Sequence, residues 1–343
     1  MSQETNDFTF DFKIIDSHAH PGFEKKDIES RPGNPDLWIH DPQHPVNREL
    51  FRNMALCLGI PDPGFITKAE QIPDFNIDHW IQFMDEFNIS HMGLQAMDTQ
   101  SDPPRNWRWL VPYEYVKEEF LDKYPDRFWG IGGIHYKLGP EHSLEQVEKA
   151  KEFGFIGVKM FTPMEGYPND REKCYPIYER CNELGLHVEV HTGVESCPGA
   201  RFKYCDPLFI NDIAKDFPHL PILQIHCGMV MNPQLALWNC NLHSNVYTDI
   251  SGFHSRHNPK YTFNADLLKL IEEKIPNKVF FGSDFPVFLP AYKDIMRWIK
   301  AQPLSGEFKK NLLRDNAVRF FLKREFECEV TAEYAPPQAA TVT

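Results

Sequence analysis

The 343 residues carry 36 lysines and arginines against 49 aspartates and glutamates, a net charge of −13, with 42% hydrophobic and 25% charged residues. That balance belongs to a globular chain with a large core. It argues against nucleic-acid or anionic-membrane partners, both of which favour a basic face. Eight cysteines (Cys57, Cys174, Cys181, Cys197, Cys205, Cys227, Cys240 and Cys328) include no Cys-x-x-Cys pair, the first residues are polar and acidic, and no apolar run approaches the about 18 residues that span a bilayer. A cytoplasmic protein with reduced, buried thiols is expected.

In chain order, residues 1–10 read as a tail. Ile14-Ile15-Asp16-Ser17-His18-Ala19-His20 then reads as a short buried strand ending in an acid and two histidines at alternate positions. Side chains two apart on extended backbone share a face, so His18 and His20 can reach one point, and neutral imidazoles suit a divalent metal. Residues 21–75, rich in proline and aromatics and containing Trp38, are too long for a plain connection and read as an ordered insertion over one mouth of the fold. Helix-like pieces are expected within it at 47–58 and 66–71.

From there helices and strands alternate. Helices are expected at 76–87, 114–124, 143–153, 171–184, 207–217, 233–242 and 263–274. Strands are expected at 90–97, 128–135, 155–161, 186–191, 221–226, 246–250 and 279–284. Gly185 should close the 171–184 helix. With the first strand this makes eight βα units, and the pattern predicts one α/β domain over residues 11–325, a (β/α)8 barrel with a long insertion after the first strand. Helices at 291–300 and 308–323 complete the ring, and residues 326–343 form a C-terminal tail expected to be disordered at its end.

In such a barrel, chemistry sits at the C-terminal ends of the strands. The first strand ends in His18 and His20, the fifth in His191, the sixth in His226 and the eighth in Asp284, while the fourth carries Lys159 near its end. Any one of these reads equally as a satisfied structural residue. Converging on one mouth, however, they would carry a desolvation cost that structure alone does not repay.

Asp16-Ser17-His18-Ala19-His20, Gly157-Val158-Lys159, His191-Thr192-Gly193, His226-Cys227-Gly228 and Gly282-Ser283-Asp284-Phe285-Pro286 together resemble the amidohydrolase superfamily. More narrowly they resemble its amidohydrolase-2 branch of metal-dependent hydrolases and non-oxidative decarboxylases. Tyr247-Thr248-Asp249-Ile250-Ser251-Gly252 and Asn316-Ala317-Val318-Arg319-Phe320 also fit that branch. The resemblance implies that His18, His20, His191 and Asp284 hold one divalent metal, zinc in the first place, with manganese or iron as alternatives. His226 would be a catalytic acid or electrophile, or a ligand to a second metal. Asp284 could also take a proton from metal-bound water. Lys159 would bridge a second metal if carboxylated; otherwise it pairs with a carboxylate or extends out of the barrel. Asp16 is expected to orient one of the histidines.

For substrate binding, Arg201 in the loop after the fifth strand and His254 and Arg256 after the seventh offer polar contacts, and arginine suits a carboxylate. Each reads also as solvated loop charge. Trp38, with Trp107 and Trp109 in the second-strand loop, adds surface for an aromatic substrate, or packs the insertion. The expected partner is a small molecule, with a homodimer left open. Three functions fit: first, a hydrolase in which metal-activated water cleaves an amide, lactone or related carbonyl; second, a non-oxidative decarboxylase of an aromatic or unsaturated acid; third, an inactive barrel that binds a partner.

Overall fold

The computed structural model describes residues 7–21, 76–103, 108–252, 265–285 and 292–327. The expected helix-like pieces of the insertion, Trp38, His254, Arg256 and residues 328–343 all lie outside them. Eight strands pair in parallel: β1 (Ile14–Ala19), β2 (Ile89–Gln95), β5 (Phe128–Ile134), β6 (Gly157–Met160), β7 (His187–Gly193), β8 (Ile222–Met229), β9 (Val246–Asp249) and β10 (Val279–Phe280), in that spatial order. Backbone bonds from Ser17 N to Phe281 O (2.9 Å), Asp284 N to His18 O (2.9 Å) and His20 N to Phe285 O (2.7 Å) join the last strand region to the first. The predicted (β/α)8 barrel is therefore the observed fold, and strand order follows chain order, as right-handed βαβ crossovers require.

The helices between the strands are α1 (Ile77–Glu86), α2 (Pro140–Glu152), α3 (Tyr175–Leu184), α4 (Leu208–Asp216), α5 (Pro233–Leu242), α6 (Ala265–Lys274) and α7 (Tyr292–Ala301). Local chemistry sets their ends. The Asn76 side chain accepts from His79 N to cap α1, and Gly185 closes α3 in the left-handed conformation at φ 69°. Helix α2 starts at Pro140, three residues before the expected Ser143, because proline's missing N–H costs nothing in a first turn.

Two short elements depart from the expected pattern. After β2 the chain forms an antiparallel hairpin, β3 (Met97–Gln100) with β4 (Arg108–Val111), where one strand end and a loop were expected. The expected 114–124 helix is a turn at Tyr113–Val116 that widens into a π-turn over Lys117–Leu121. The final helical run, from Gly306 to Leu322, is likewise widened at Asn311–Asp315 and Val318–Leu322.

Strand alternation divides the side chains between two cores. On β7, Val188 and Val190 join the outer core between sheet and helices, while His187, Glu189 and His191 point inward. Near the strand starts the interior is apolar: Ile15, Trp129, Ile131, Leu223, Ile225, Tyr247 and Phe280 pack with Phe320 and Phe321 of the last helical run. Trp129 stacks on Phe321 at 4.8 Å, and Tyr247 meets Phe320 edge-on at 4.7 Å. This aromatic plug seals one end and leaves the polar groups at the other.

Candidate active site

At the opposite end, His18 Nε2 and His20 Nε2 lie 3.1 Å apart, and Asp284 Oδ1 is 3.6 Å from the first and 3.2 Å from the second. Among the described residues these three form the tight donor group, their atoms all within 4.8 Å of one another. The backbone bonds that join the barrel's ends also bring Asp284 beside the two histidines. Gly282 lets the strands meet this closely, since a Cβ there would stand 2.8 Å from His18 Cβ and 3.2 Å from Asp249 Oδ2.

Two of the predicted residues arrive by strained backbone rather than by alternation. On β8, Gln224 faces outward to α5 and Ile225 faces the interior, so regular alternation would send His226 outward. Left-handed backbone at His226 (φ 64°) and Cys227 (φ 46°) turns it inward instead, placing its ring 4.7 Å from His191 and 5.2 Å from His18. Asp284 has φ 56°. Such conformations cost about 1–3 kcal/mol each for non-glycine residues and persist where the surroundings over-determine them. Thr192 helps here: its hydroxyl donates to Ile225 O and accepts from Gly228 N, bracketing the bend.

The buried surroundings hold the rings neutral. Burial pushes His18, His20 and His191 below the ordinary histidine value, with the Lys159 charge adding to the effect, and pushes His226 down to about 4. For Asp284, burial acts upward but the hydrogen bond with His20 and the nearby Lys159 charge outweigh it, holding the carboxyl below its ordinary value. Neutral imidazoles beside an ionised carboxylate are a ligand set in its binding state.

Hydrogen-bond partners decide which nitrogens are available. Lys159 Nζ lies 3.0 Å from His18 Nε2, the nitrogen that also faces His20 and Asp284. His18 Nδ1 lies 3.3 Å from Asp249 Oδ2. His226 Nδ1 lies 3.1 Å from the Ser251 carbonyl, which only accepts, so Nδ1 bears the proton and Nε2 the lone pair. Ser251 Oγ donates to Asp249 and stands 2.8 Å from the same Nδ1. His191 has both ring nitrogens buried without a hydrogen-bond partner among the described residues, and its Nδ1 is 3.8 Å from Glu195 Oε2. Two imidazole nitrogens and a carboxylate oxygen aimed at one point, beside a third imidazole with nothing to bond, fit a divalent cation.

Other expectations fare differently. Asp16 does not touch an imidazole: its Oδ1 accepts from the backbone of His18 and Ser283, and it is Asp249 that stands against the His18 ring. Lys159 is buried and points into the barrel rather than out of it, with its amine held below the ordinary lysine value by burial. Arg201 is half exposed and its Nε lies 3.3 Å from Asp102, so in this state its charge is answered within the protein. Asp249 and Ser251 enter the sequence reading only within the Tyr247–Gly252 motif and Glu195 only as a residue of the loop after the fifth strand, none with a role at the site. Asp249 ends β9, so the strand-terminal rule that found the histidines would also have found it.

Aromatic rings flank the donors. Trp109, on β4, lies 4.6 Å from the His20 ring and 5.6 Å from Phe161, and Phe161 in turn lies 5.2 Å from His191. The family model described as Amidohydrolase, that of the amidohydrolase-2 branch, matches residues 15–322. The chain belongs to this family. Among solved structures, it is similar to an uncharacterized TIM-barrel protein from Bordetella bronchiseptica (18% identity, TM-score 0.67, covering 90% of this chain and 98% of that one). It is also similar to 5-carboxyvanillate decarboxylase from Novosphingobium aromaticivorans, complexed with manganese and 4-hydroxy-3-methoxy-5-nitrobenzoic acid (18%, 0.62, 93% and 99%). A third is dihydroxybenzoic acid decarboxylase from Polaromonas sp., with bound manganese and 2-nitroresorcinol (16%, 0.59, 92% and 98%). At these identities the likeness shows the barrel fold.

Proposed function

We propose that the chain is a metal-dependent, non-oxidative decarboxylase of small aromatic carboxylic acids. The observation that carries this reading is the aromatic wall of Trp109 and Phe161 set directly on His20 and His191. Both rings are buried against the donor group, where they would border a flat ring held beside it. The decarboxylases of hydroxylated aromatic acids among the similar barrels support it. His18, His20 and Asp284 would hold a divalent cation, with His191 as a fourth ligand. Manganese replaces zinc as the first expectation because the similar barrels carry it. When bound, the cation supplies Lewis acidity toward a carboxylate and an adjacent oxygen.

The protein's own groups supply the rest. Loss of carbon dioxide leaves an electron pair on a ring carbon, which needs one proton. Asp284 is ionised and His226 Nε2 carries a lone pair, so either group would first take a proton from the substrate's ring hydroxyl or from solvent and then pass it to that carbon. With Nδ1 committed to Ser251, His226 exchanges protons only through Nε2. Ser251 holds that ring in place, and Asp249 accepts from the His226 backbone N–H.

Hydrolysis of an amide or lactone is the second reading, and Lys159 favours it. Burial shifts the Lys159 amine toward the neutral form that takes up carbon dioxide, and a carboxylated lysine would add a ligand for a second cation. Carbon dioxide release from 2,6-dihydroxybenzoate, 5-carboxyvanillate and related acids, measured beside amide and lactone panels on manganese- and zinc-loaded protein, separates the two. Turnover confined to the amide and lactone panels would overturn decarboxylation. No metal uptake and no turnover in any panel would leave the inactive barrel as the answer.

A further inference from the structure

We propose that His135 is a positioning residue that holds the β3–β4 hairpin, and with it Trp109, over the donor group. The inference rests on reading His18, His20 and Asp284 as the active site. His135 follows β5 at the mouth of the barrel and is 4% exposed. It stands between two carboxylates: Nδ1 is 3.4 Å from Asp98 Oδ1, and Nε2 is 3.4 Å from Glu165 Oε1.

Each carboxylate belongs to a different piece of the wall. Asp98 is on β3 and also receives Arg108 from β4 (3.2 Å) and Gln146 from α2 (3.1 Å). Glu165 ends the short helix that follows Phe161, and it accepts from Thr99 Oγ1, from Gln100 N and from Lys137 N. Both Thr99 and Gln100 are β3 residues, and Thr99 pairs across the hairpin with Trp109. The hairpin crosses β5 at Gly133, where a Cβ would stand 2.5 Å from Ala96 O and 2.7 Å from Met97 Cα. A path of direct contacts therefore runs from His135 through Glu165 and Thr99 to Trp109 and on to His20. None of the groups in the His135 bridge touches a donor atom. The His135 ring stands 3.4 Å from a carboxylate of the hairpin on one side and from a carboxylate of the Thr162–Glu165 helix on the other, and so packs the two pieces against each other. Burial alone would raise the Asp98 carboxyl, yet His135 and Arg108 outweigh it and hold it low, while burial keeps Glu165 above the ordinary value.

The full-length chain labelled with 5-fluorotryptophan tests this, with Trp109 assigned among the seven tryptophans by the signal lost in Trp109→Phe. In His135→Ala and in Glu165→Gln the Trp109 fluorine signal should shift or broaden while the other signals stay. With manganese and 2,6-dihydroxybenzoate, or whichever acid of the panel turns over, KM in His135→Ala should rise at least fivefold and by more than kcat falls. An unmoved Trp109 signal in the folded variants overturns the proposal. So does a general shift of all tryptophan signals, which would assign His135 to fold stability alone. If His135→Ala does not fold, Glu165→Gln decides by the same signal. Absence of turnover would count against the decarboxylase reading, and the fluorine signal would still decide the role of His135.

Discussion

On β7, His187 and His191 face the same interior from opposite ends. His187 Nε2 lies 3.1 Å from Glu189, its Nδ1 meets the Ile156 carbonyl and the Arg324 guanidinium, both at 2.9 Å, and its ring packs on Phe320 and Phe321. His191 is as deeply buried and has no hydrogen-bond partner for either nitrogen among the described residues. A buried polar atom left unpaired costs about 1–3 kcal/mol, so the two histidines answer different demands. The one in the plug has partners on both ring nitrogens, and the one at the mouth has its ring nitrogens free to act as the proposed fourth ligand. Between these two residues the difference lies in the partners of the ring nitrogens rather than in burial or residue type.

The sharpest way to break that contrast is to remove each histidine and count metal. In His20→Ala and His191→Ala, elemental analysis after manganese or zinc loading should fall to background and activity should vanish. His187→Ala should keep its metal. Unchanged metal content in His191→Ala would take that residue out of the donor set and undo the comparison. At the plug the expected loss is of stability: Phe320→Ala should cost about 3–5 kcal/mol in denaturant unfolding, with metal stoichiometry intact. A smaller cost would mean that the aromatic layer relaxes to fill the gap.

A subtler effect concerns Asp16, whose carboxyl burial raises to about 7. Folded, it stays protonated where the unfolded chain has already ionised. Its contribution is therefore complete below the ordinary carboxyl value near 4 and is lost as pH climbs toward 7. Metal-free protein should lose stability over that window with a slope of up to about 1.4 kcal/mol per pH unit from this group, and Asp16→Asn should flatten it. An identical slope in the variant would mean that another group carries the pH dependence.

Much of this was legible before any coordinates. The alternation of strands and helices, with a polar residue closing strand after strand, located the barrel, its working end, and His18, His20 and Asp284 as neighbours. What escaped the sequence was geometry that breaks a period. Nothing in Ile225-His226-Cys227 announces a left-handed turn, and only that turn brings His226 to the site. The β3–β4 hairpin carries a buried/half-buried alternation in Met97–Gln100 and Arg108–Val111, but β3 follows one residue after β2 and merges with it in a hydrophobic pattern. The partners of Arg201 and Asp16 depend on contacts between distant segments, which periodicity does not encode.

The donor group straddles the join between the two ends of the chain. Ser17 and Phe281, hydrogen-bonded across it, are 264 residues apart in sequence, and bringing such distant segments together is the costliest kind of closure in a folding chain. A cation held by His18 and His20 on one side and Asp284 on the other would act as a clasp across that join. Its binding free energy would then be folding free energy as well: at a hundred times its Kd it would add about 2.7 kcal/mol to the resistance of the ring to opening. Metal supply would in this way set how long the molecule survives as well as whether it turns over.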